Sequence, residues 1–348
     1  MTMSKPRLQG VLQWVGEQRI YLLFCATLLV MSLWAPKFLN LYNLTIIAKS
    51  MSLNALVAAG FTVVMICGEL DLSVSSTLTL GAMLVIGLRP TLGWGGSFLV
   101  ALGSGMLVGW LNGVLVTKAR IHSFIATLGT MTVAQGVIYM YSHGSSVSVT
   151  GAGDFALADF LETPWLPMLP PRVLVTVGLV AVIQWFLSCT RPGRNLYLVG
   201  GSKETAWLAG LNPHTYVTAA FVLSGFTAAL GGALFAMGIS SATTDLGVSA
   251  LMDVISATII GGTAMSGGRG SAVRSALAVL TFAVMFNGFN RLGFGSELRI
   301  FVAGLVLAVV VLHEAWSRHR HEQRRGRRAD LMAELELGRG TPDGGQAG

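Results

Sequence analysis

Three short stretches of this chain hold residues whose types and spacing suit them to chemistry or to recognition. In Gly68-Glu69-Leu70-Asp71-Leu72-Ser73-Val74-Ser75-Ser76, two carboxylates and three hydroxyls interrupt sequence that is apolar on both sides. Ionisable groups at membrane depth are costly and face a cavity, a partner or water. Asp71 and Ser73 are therefore candidates for lining a solute pathway. The plainer alternative is a turn at the cytoplasmic end of a helix, with Asp71 capping the next helix by accepting a backbone amide two or three residues on. The second stretch runs from Gly200 to Pro213 and contains Gly200, Gly201, Glu204, Ala206, Trp207, Leu208 and Gly210. Thr205 to Leu211 suits one or two helical turns, with Ser202 as cap and Gly210 as stop. Such a helix would lie across the membrane face and present Trp207 and Leu208, either to dock a partner or to cover the bundle. The third stretch, Ile255 to Ser271, contains Gly261, Gly262, Thr263, Gly267, Gly268 and Gly270. Its two glycine pairs permit close helix packing and a tight reversal, and a Leu at Gly262 is expected to obstruct that approach.

Several chemistries are excluded by what accompanies these stretches. The glycine density of the third resembles a phosphate loop only superficially, because no Gly-Lys pair occurs anywhere in the sequence. Cys25, Cys67 and Cys189 lie singly in apolar runs, as packing residues do. His313 and Glu314 are adjacent, but the second histidine of an H-E-x-x-H metal site is missing. No metal, no cofactor and no catalytic residue is expected. A membrane enzyme would want a cluster of His, Asp or Glu on facing helices, and a gradient-driven secondary transporter would want ion-coupling charges within helices. Apart from Glu69, Asp71 and Asp253, such charges are almost lacking.

The elements that must position these stretches are membrane helices. Hydrophobic residues make up 53% of the chain and charged residues 11%, where a soluble domain carries about 25%. The intervals from Lys49 to Glu69, Arg89 to Lys118 and Glu204 to Asp245 contain no charge, and a helix needs about 20 apolar residues to cross a bilayer. The charged outer faces of a large soluble helical protein are missing. The expected fold is an all-α, polytopic membrane helix bundle of about ten transmembrane helices, near 20–35, 45–67, 72–88, 95–117, 122–142, 172–190, 214–238, 252–268, 271–290 and 297–315. The segment 252–268 is short and glycine-rich at its end, a candidate for a broken or re-entrant helix. Residues 1–19 form a cytoplasmic N-terminus, 20–315 the membrane domain, and 316–348 a basic, disordered cytoplasmic tail. Placing both termini in the cytoplasm puts 17 of the 23 Lys and Arg residues inside. The arginines from Arg318 to Arg328 follow the last span directly, where a basic cluster is expected to anchor to anionic membrane lipid or to fix topology, not to bind nucleic acid.

The three stretches together resemble the membrane permease subunits of bacterial ABC importers for monosaccharides, the ribose-permease-like branch called carbohydrate uptake transporter-2. The resemblance covers roughly residues 15 to 315. It rests on a G-G-I-D-L-S-V-G-S-like block at 68–76, a G-G-N-x-x-A-A-x-x-S-G-I-like block at 200–211, and an intact I-G-G-T-x-x-x-G-G-x-G-S block at 260–271. Thr150-Gly151 to Phe155 also looks like the family's periplasmic segment. Glu69 and Ser75 stand where the family usually has Gly, Ser202 where it has Asn, and Trp207 and Ala209 where it has Ala and Ser. The resemblance implies a bacterial inner-membrane subunit that pairs with itself or a sister permease. It also implies a cytoplasmic ATPase partner and delivery of solute by a periplasmic sugar-binding protein. The loop from Arg191 to Pro213 would then be the coupling element, and ion-gradient-driven transport remains the alternative reading of the bare sequence.

Overall fold

The structure, a computed structural model, describes residues 5–149 and 155–295, and beyond them 297–298, 300–305, 308–309 and 312. The expected span 297–315 is thus described only in part. The tail from Arg318 onward and the Thr150–Gly151 segment lie outside the described residues. Residues up to Ala303 belong to one packed unit, and the described positions from Gly304 on are helical.

The chain folds as α1 (Lys5–Trp34), α2 (Leu41–Ile66), α3 (Val74–Gly87), α4 (Arg89–Thr117) and α5 (Ser123–Ser142), followed by a two-residue strand β1 (Val147–Ser148). Then come α6 (Ala156–Glu162), α7 (Pro171–Cys189), α8 (Arg191–Gly201), α9 (Lys203–Leu208), α10 (Pro213–Ile239), β2 (Ser241–Ala242), α11 (Leu246–Ile260) and α12 (Ala272–Arg291). Among the described residues, α2, α4, α5, α7, α10 and α12 are long and apolar enough to cross a membrane. Three further apolar helices, Gln18–Trp34 within α1, α3 and α11, are shorter. The all-α, multi-pass expectation holds at this level, while six long helices are fewer than the ten spans read from the sequence.

Helix starts follow local side-chain chemistry. Asn40, Asn212 and Ser271 each accept an amide of the first turn of α2, α10 and α12, filling one of the donors a helix start leaves open. Pro90, Pro171 and Pro213 stand at the first or second helical position, where a missing N–H costs nothing. Gly93 takes φ 65° inside α4 and kinks it, so the continuous run begins near the expected 95.

Helix α10 is the axis of the bundle: 78% of its most apolar stretch is buried, against 28% for α4 and for α5. It packs against α2, α3 and α4, while α12 packs against α2 and α1. The α4 contact is a ladder of glycines one turn apart. A Cβ on Gly105 would lie 2.4 Å from the Gly225 carbonyl oxygen, on Gly109 within 2.2 Å of the Phe221 oxygen, and on Gly113 within 2.7 Å of Thr218 Cα. Small residues at this spacing let helix backbones touch, the usual substitute for hydrophobic drive inside lipid.

Two helices depart from the expected spans. At 1.5 Å per residue, α3 with 14 residues and α11 with 15 reach only about 21–23 Å, short of a bilayer core of about 30 Å. The segment expected as a span over 72–88 starts inside the bundle, because Asp71 lies beside Ser224, near the middle of α10. The segment expected over 252–268 is helical over 246–260 and irregular from Gly261 to Gly270. The start of α11 abuts α3: the Gly247 amide donates to Thr79 Oγ1 at 2.9 Å. Just after the C-terminal end of α10, β2 pairs antiparallel with β1, Ala242 with Val147 and Ser241 with Ser148. There Glu162 bridges Lys49 at 2.9 Å and the buried Arg172 at 3.0 Å, tying α6 to α2 and α7.

Candidate functional site

The three stretches converge on one backbone junction at the end of α2. The Gly268 amide donates to the carbonyl of Ile66, the last residue of α2, at 2.8 Å. A Cβ on Gly200, in the last turn of α8, would fall 1.7 Å from that same Ile66 oxygen. Gly267 sits at φ 82°, and a Cβ there would lie 2.5 Å from the Gly200 oxygen and 2.8 Å from the Gly68 nitrogen. Neither position can hold a side chain: at Gly200 the backbones are too close, and at Gly267 the left-handed conformation adds strain. Tyr197 of α8 seals the contact by donating from its hydroxyl to the Gly270 carbonyl at 3.1 Å. Burial raises the pKa of that phenol, with Arg274 acting in the opposite sense. The Lys203 ammonium pairs with Glu69, so α9 is joined by an ion pair to the segment between α2 and α3.

From this junction the chain turns back into the bundle. Asp71 is fully buried and accepts three hydrogen bonds: from the Ser73 amide at 3.1 Å, the Ser73 hydroxyl at 2.6 Å, and the Ser224 hydroxyl of α10 at 2.8 Å. Ser73 Oγ in turn accepts from Asn112 Nδ2 of α4 at 2.7 Å, and Asn112 Oδ1 accepts from the Thr130 hydroxyl of α5 at 2.7 Å. The amides of Leu70 and Leu72 donate to Ser123 Oγ and Thr127 Oγ1 at 3.2 and 3.1 Å. Asp71, Ser73 and the Leu70 and Leu72 amides together hold the non-helical segment 67–73 against α10, α4 and α5. The expected amide two residues on is bonded. Asp71, between the end of α2 and the start of α3, is however level with the middle of α10, and Ser73, the residue before α3, makes no side-chain cap.

Helix α9 has the expected cap and stop but spans Lys203–Leu208, where the sequence suggests Thr205 to Leu211. Ser202 Oγ accepts the Thr205 amide at 3.1 Å, Gly210 takes φ 80° after the last turn, and Ala206 is buried. Trp207 and Leu208 are 61% and 81% exposed, and Glu204 and Trp207 border a hollow of about 320 Å³ shared with Arg120 and His214. Gly201 lies against Gly268, 3.1 Å from where the latter's Cβ would be. In the third stretch, a Cβ on Gly261 would reach 2.8 Å from the Ser275 amide, and one on Gly270 would meet Thr263. Gly262 is different. It sits at φ 95° facing open space, with Arg19 Nη2 at 3.7 Å as its nearest neighbour, so its requirement is conformational and the close approach falls to Gly261. Among the described residues, no group of three or more His, Cys, Asp or Glu side chains could hold a metal ion.

Comparison with known proteins places this geometry in context. Residues 43–311 match the family model described as branched-chain amino acid transport system / permease component. The Ribose import permease protein RbsC of Bacillus subtilis (strain 168) is 33% identical over 309 residues, covering 87% of this chain and 93% of the relative. The protein of the same name from Escherichia coli (strain K12) is 32% identical over 307 residues, or 86% and 94%. The L-arabinose transport system permease protein AraH of Escherichia coli (strain K12) is 29% identical over 298 residues, or 84% and 88%. No solved structure matches the chain.

Proposed function

The chain belongs to the permease-component family, among the ribose-permease-like subunits of ATP-binding-cassette monosaccharide importers, and from that premise we propose how it works. It passes a monosaccharide, or a similar small polyol-like solute, across the bacterial inner membrane, with both termini in the cytoplasm. A second permease, identical or a sister chain, completes the pore. A sugar-binding protein delivers the solute from outside, and a separate cytoplasmic ATPase supplies the energy through α9.

The observation that carries this reading is the junction itself. An exposed apolar pair, Trp207 and Leu208, sits on a helix whose neighbouring backbone is interlocked with α2 and with the α11–α12 loop at Gly200, Gly267 and Gly68. Its Lys203 is paired with Glu69, two residues before Asp71. Movement of α9 has no slack in which to dissipate at backbone-to-backbone contacts, so it reaches segment 67–73 and the start of α3. The solute path runs beside that segment, where Asp71 and Ser73 fix the backbone. Apolar anchors at the centre of an interface dominate its energy, and their loss costs about 2 kcal/mol or more. Trp207→Ala and Leu208→Glu are therefore expected to leave the chain inserted and folded while weakening ATPase co-purification per permease recovered at least tenfold. Undiminished co-purification in both variants would remove α9 from the mechanism.

A further inference from the structure

We propose that a cavity beside the junction binds the phosphate headgroup of an anionic phospholipid. The cavity has a volume of about 750 Å³ and lies between the start of the apolar part of α1 and the α11–α12 loop. Three guanidinium-bearing residues, Arg19, Arg269 and Arg274, line it, together with Tyr197 and the backbone around Gly262 and Gly268. Among the described residues, no carboxylate lines it and none of the three arginines has an ion pair. Arg19 reaches across from α1, its Nη2 lying 3.7 Å from the position of a Cβ at Gly262. Three guanidiniums gathered around one polar hollow suit an anion, and guanidinium matches phosphate oxygens in pairs.

The surroundings favour a lipid over free phosphate. Arg19 stands at the beginning of the apolar run Gln18–Trp34, the depth at which headgroups meet hydrocarbon. From the cavity wall, α1 continues into an exposed apolar surface that includes Tyr21, Leu22, Leu29, Leu33 and Trp34. A headgroup held by the arginines lays its acyl chains along that surface, and free phosphate has no use for it. Basic pockets between membrane helices bind lipid headgroups for the same electrostatic reason. Trp207 and Leu208 do not line this cavity, so the site is separate from the surface assigned to the ATPase.

The test uses the purified full chain, stripped of lipid in detergent and titrated with phosphatidylglycerol or with phosphatidylcholine of the same acyl chains, bound lipid being counted by native mass spectrometry. Each basic residue near a membrane surface contributes roughly a fivefold change in affinity. Wild type should prefer phosphatidylglycerol, R19Q/R269Q/R274Q should bind it on the order of a hundredfold more weakly, and R120Q should match wild type. If the triple variant is not recovered folded, R269Q alone should lose about fivefold. Sodium phosphate in the millimolar range should not displace the lipid. Equal affinity for the two lipids, or unchanged affinity in the arginine variants, would overturn the proposal. Displacement by free phosphate would show an anion site with no lipid specificity, and would overturn it too. ATPase co-purification, governed by α9, should stay unchanged in the Arg19, Arg269 and Arg274 variants.

Discussion

Asp71 ties separate parts of the interior together, because its two oxygens hold donors from α10 and from the segment before α3. Removing the carboxylate strands Ser73 and Ser224 inside the bundle, and buried donors left without partners cost about 1–3 kcal/mol each. Asp71→Ala should therefore lower resistance to unfolding in a denaturing-detergent titration by about 3 kcal/mol. Asp71→Asn should cost only about 1 kcal/mol. Its carbonyl still accepts from Ser73, and its amide donates to Ser224, whose hydroxyl can accept. Equal losses in the two variants would contradict this hydrogen-bond account and point to the charge itself. Glu69 and Lys203 make a second, weaker tie, since the lysine side chain is 53% exposed and solvent screens such pairs. Exchanging the two, Glu69→Lys with Lys203→Glu, should recover most of the transport lost on Glu69→Lys alone. The candidacy of Asp71 is legible in the sequence, because a carboxylate in apolar surroundings needs a reason. Its partners were not legible. Ser224, Asn112 and Thr130 are single polar residues in apolar helices, and nothing local distinguishes them from Ser104 or Thr132, which bond only within their own helices.

Among the elements, the contact of α4 with α10 makes a sharp prediction. Gly109→Ala places a methyl 2.2 Å from the Phe221 oxygen, whereas a methyl at Gly103 meets nothing within 4 Å. Gly109→Ala should destabilise by about 1–3 kcal/mol, and Gly103→Ala should lie within about 0.5 kcal/mol of wild type. Thermal unfolding of the purified variants compares them directly. Similar values at both positions would mean that these helices do not touch. The same logic orders the junction glycines: Gly267→Ala meets backbone and strain together, Gly262→Ala strain alone, so the former should yield less folded protein. The i, i+4, i+8 glycines of α4 stood in the sequence as a visible pattern. The charge-free run that located the helix drew no attention to it. The long helices and α9 were legible because charge, proline and capping residues punctuate them. The short reach of α3 and α11 was not, since hydropathy reports whether a segment suits lipid or a core and says nothing about the depth at which it starts. Segment 67–73 illustrates the point: its carboxylates suggested a helix end, and only the contact with Ser224 shows that it turns inward.

At the scale of the whole molecule, the proposed orientation puts α8 and α9 in the cytoplasm and the β1 loop outside, on the side with fewer basic residues. Ser146 and Glu204 are both exposed, so cysteines introduced there in a background lacking Cys25 and Cys189 report the topology. An impermeant thiol reagent on intact cells with a permeabilised outer membrane should label Ser146→Cys and spare Glu204→Cys. The reverse pattern would invert the map. In that proposed orientation, the exposed end of α9, next to the interlock of Gly68, Gly200 and Gly267, would face a cytoplasmic ATPase. The most direct measurement is solute uptake into proteoliposomes holding the permease with its ATPase and binding protein, supplied with a panel of labelled pentoses and hexoses. Uptake should require ATP, survive ionophores that collapse ion gradients, and fall at least tenfold with Leu208→Glu. Uptake that proceeds without ATP and stops when the gradients collapse would contradict the account.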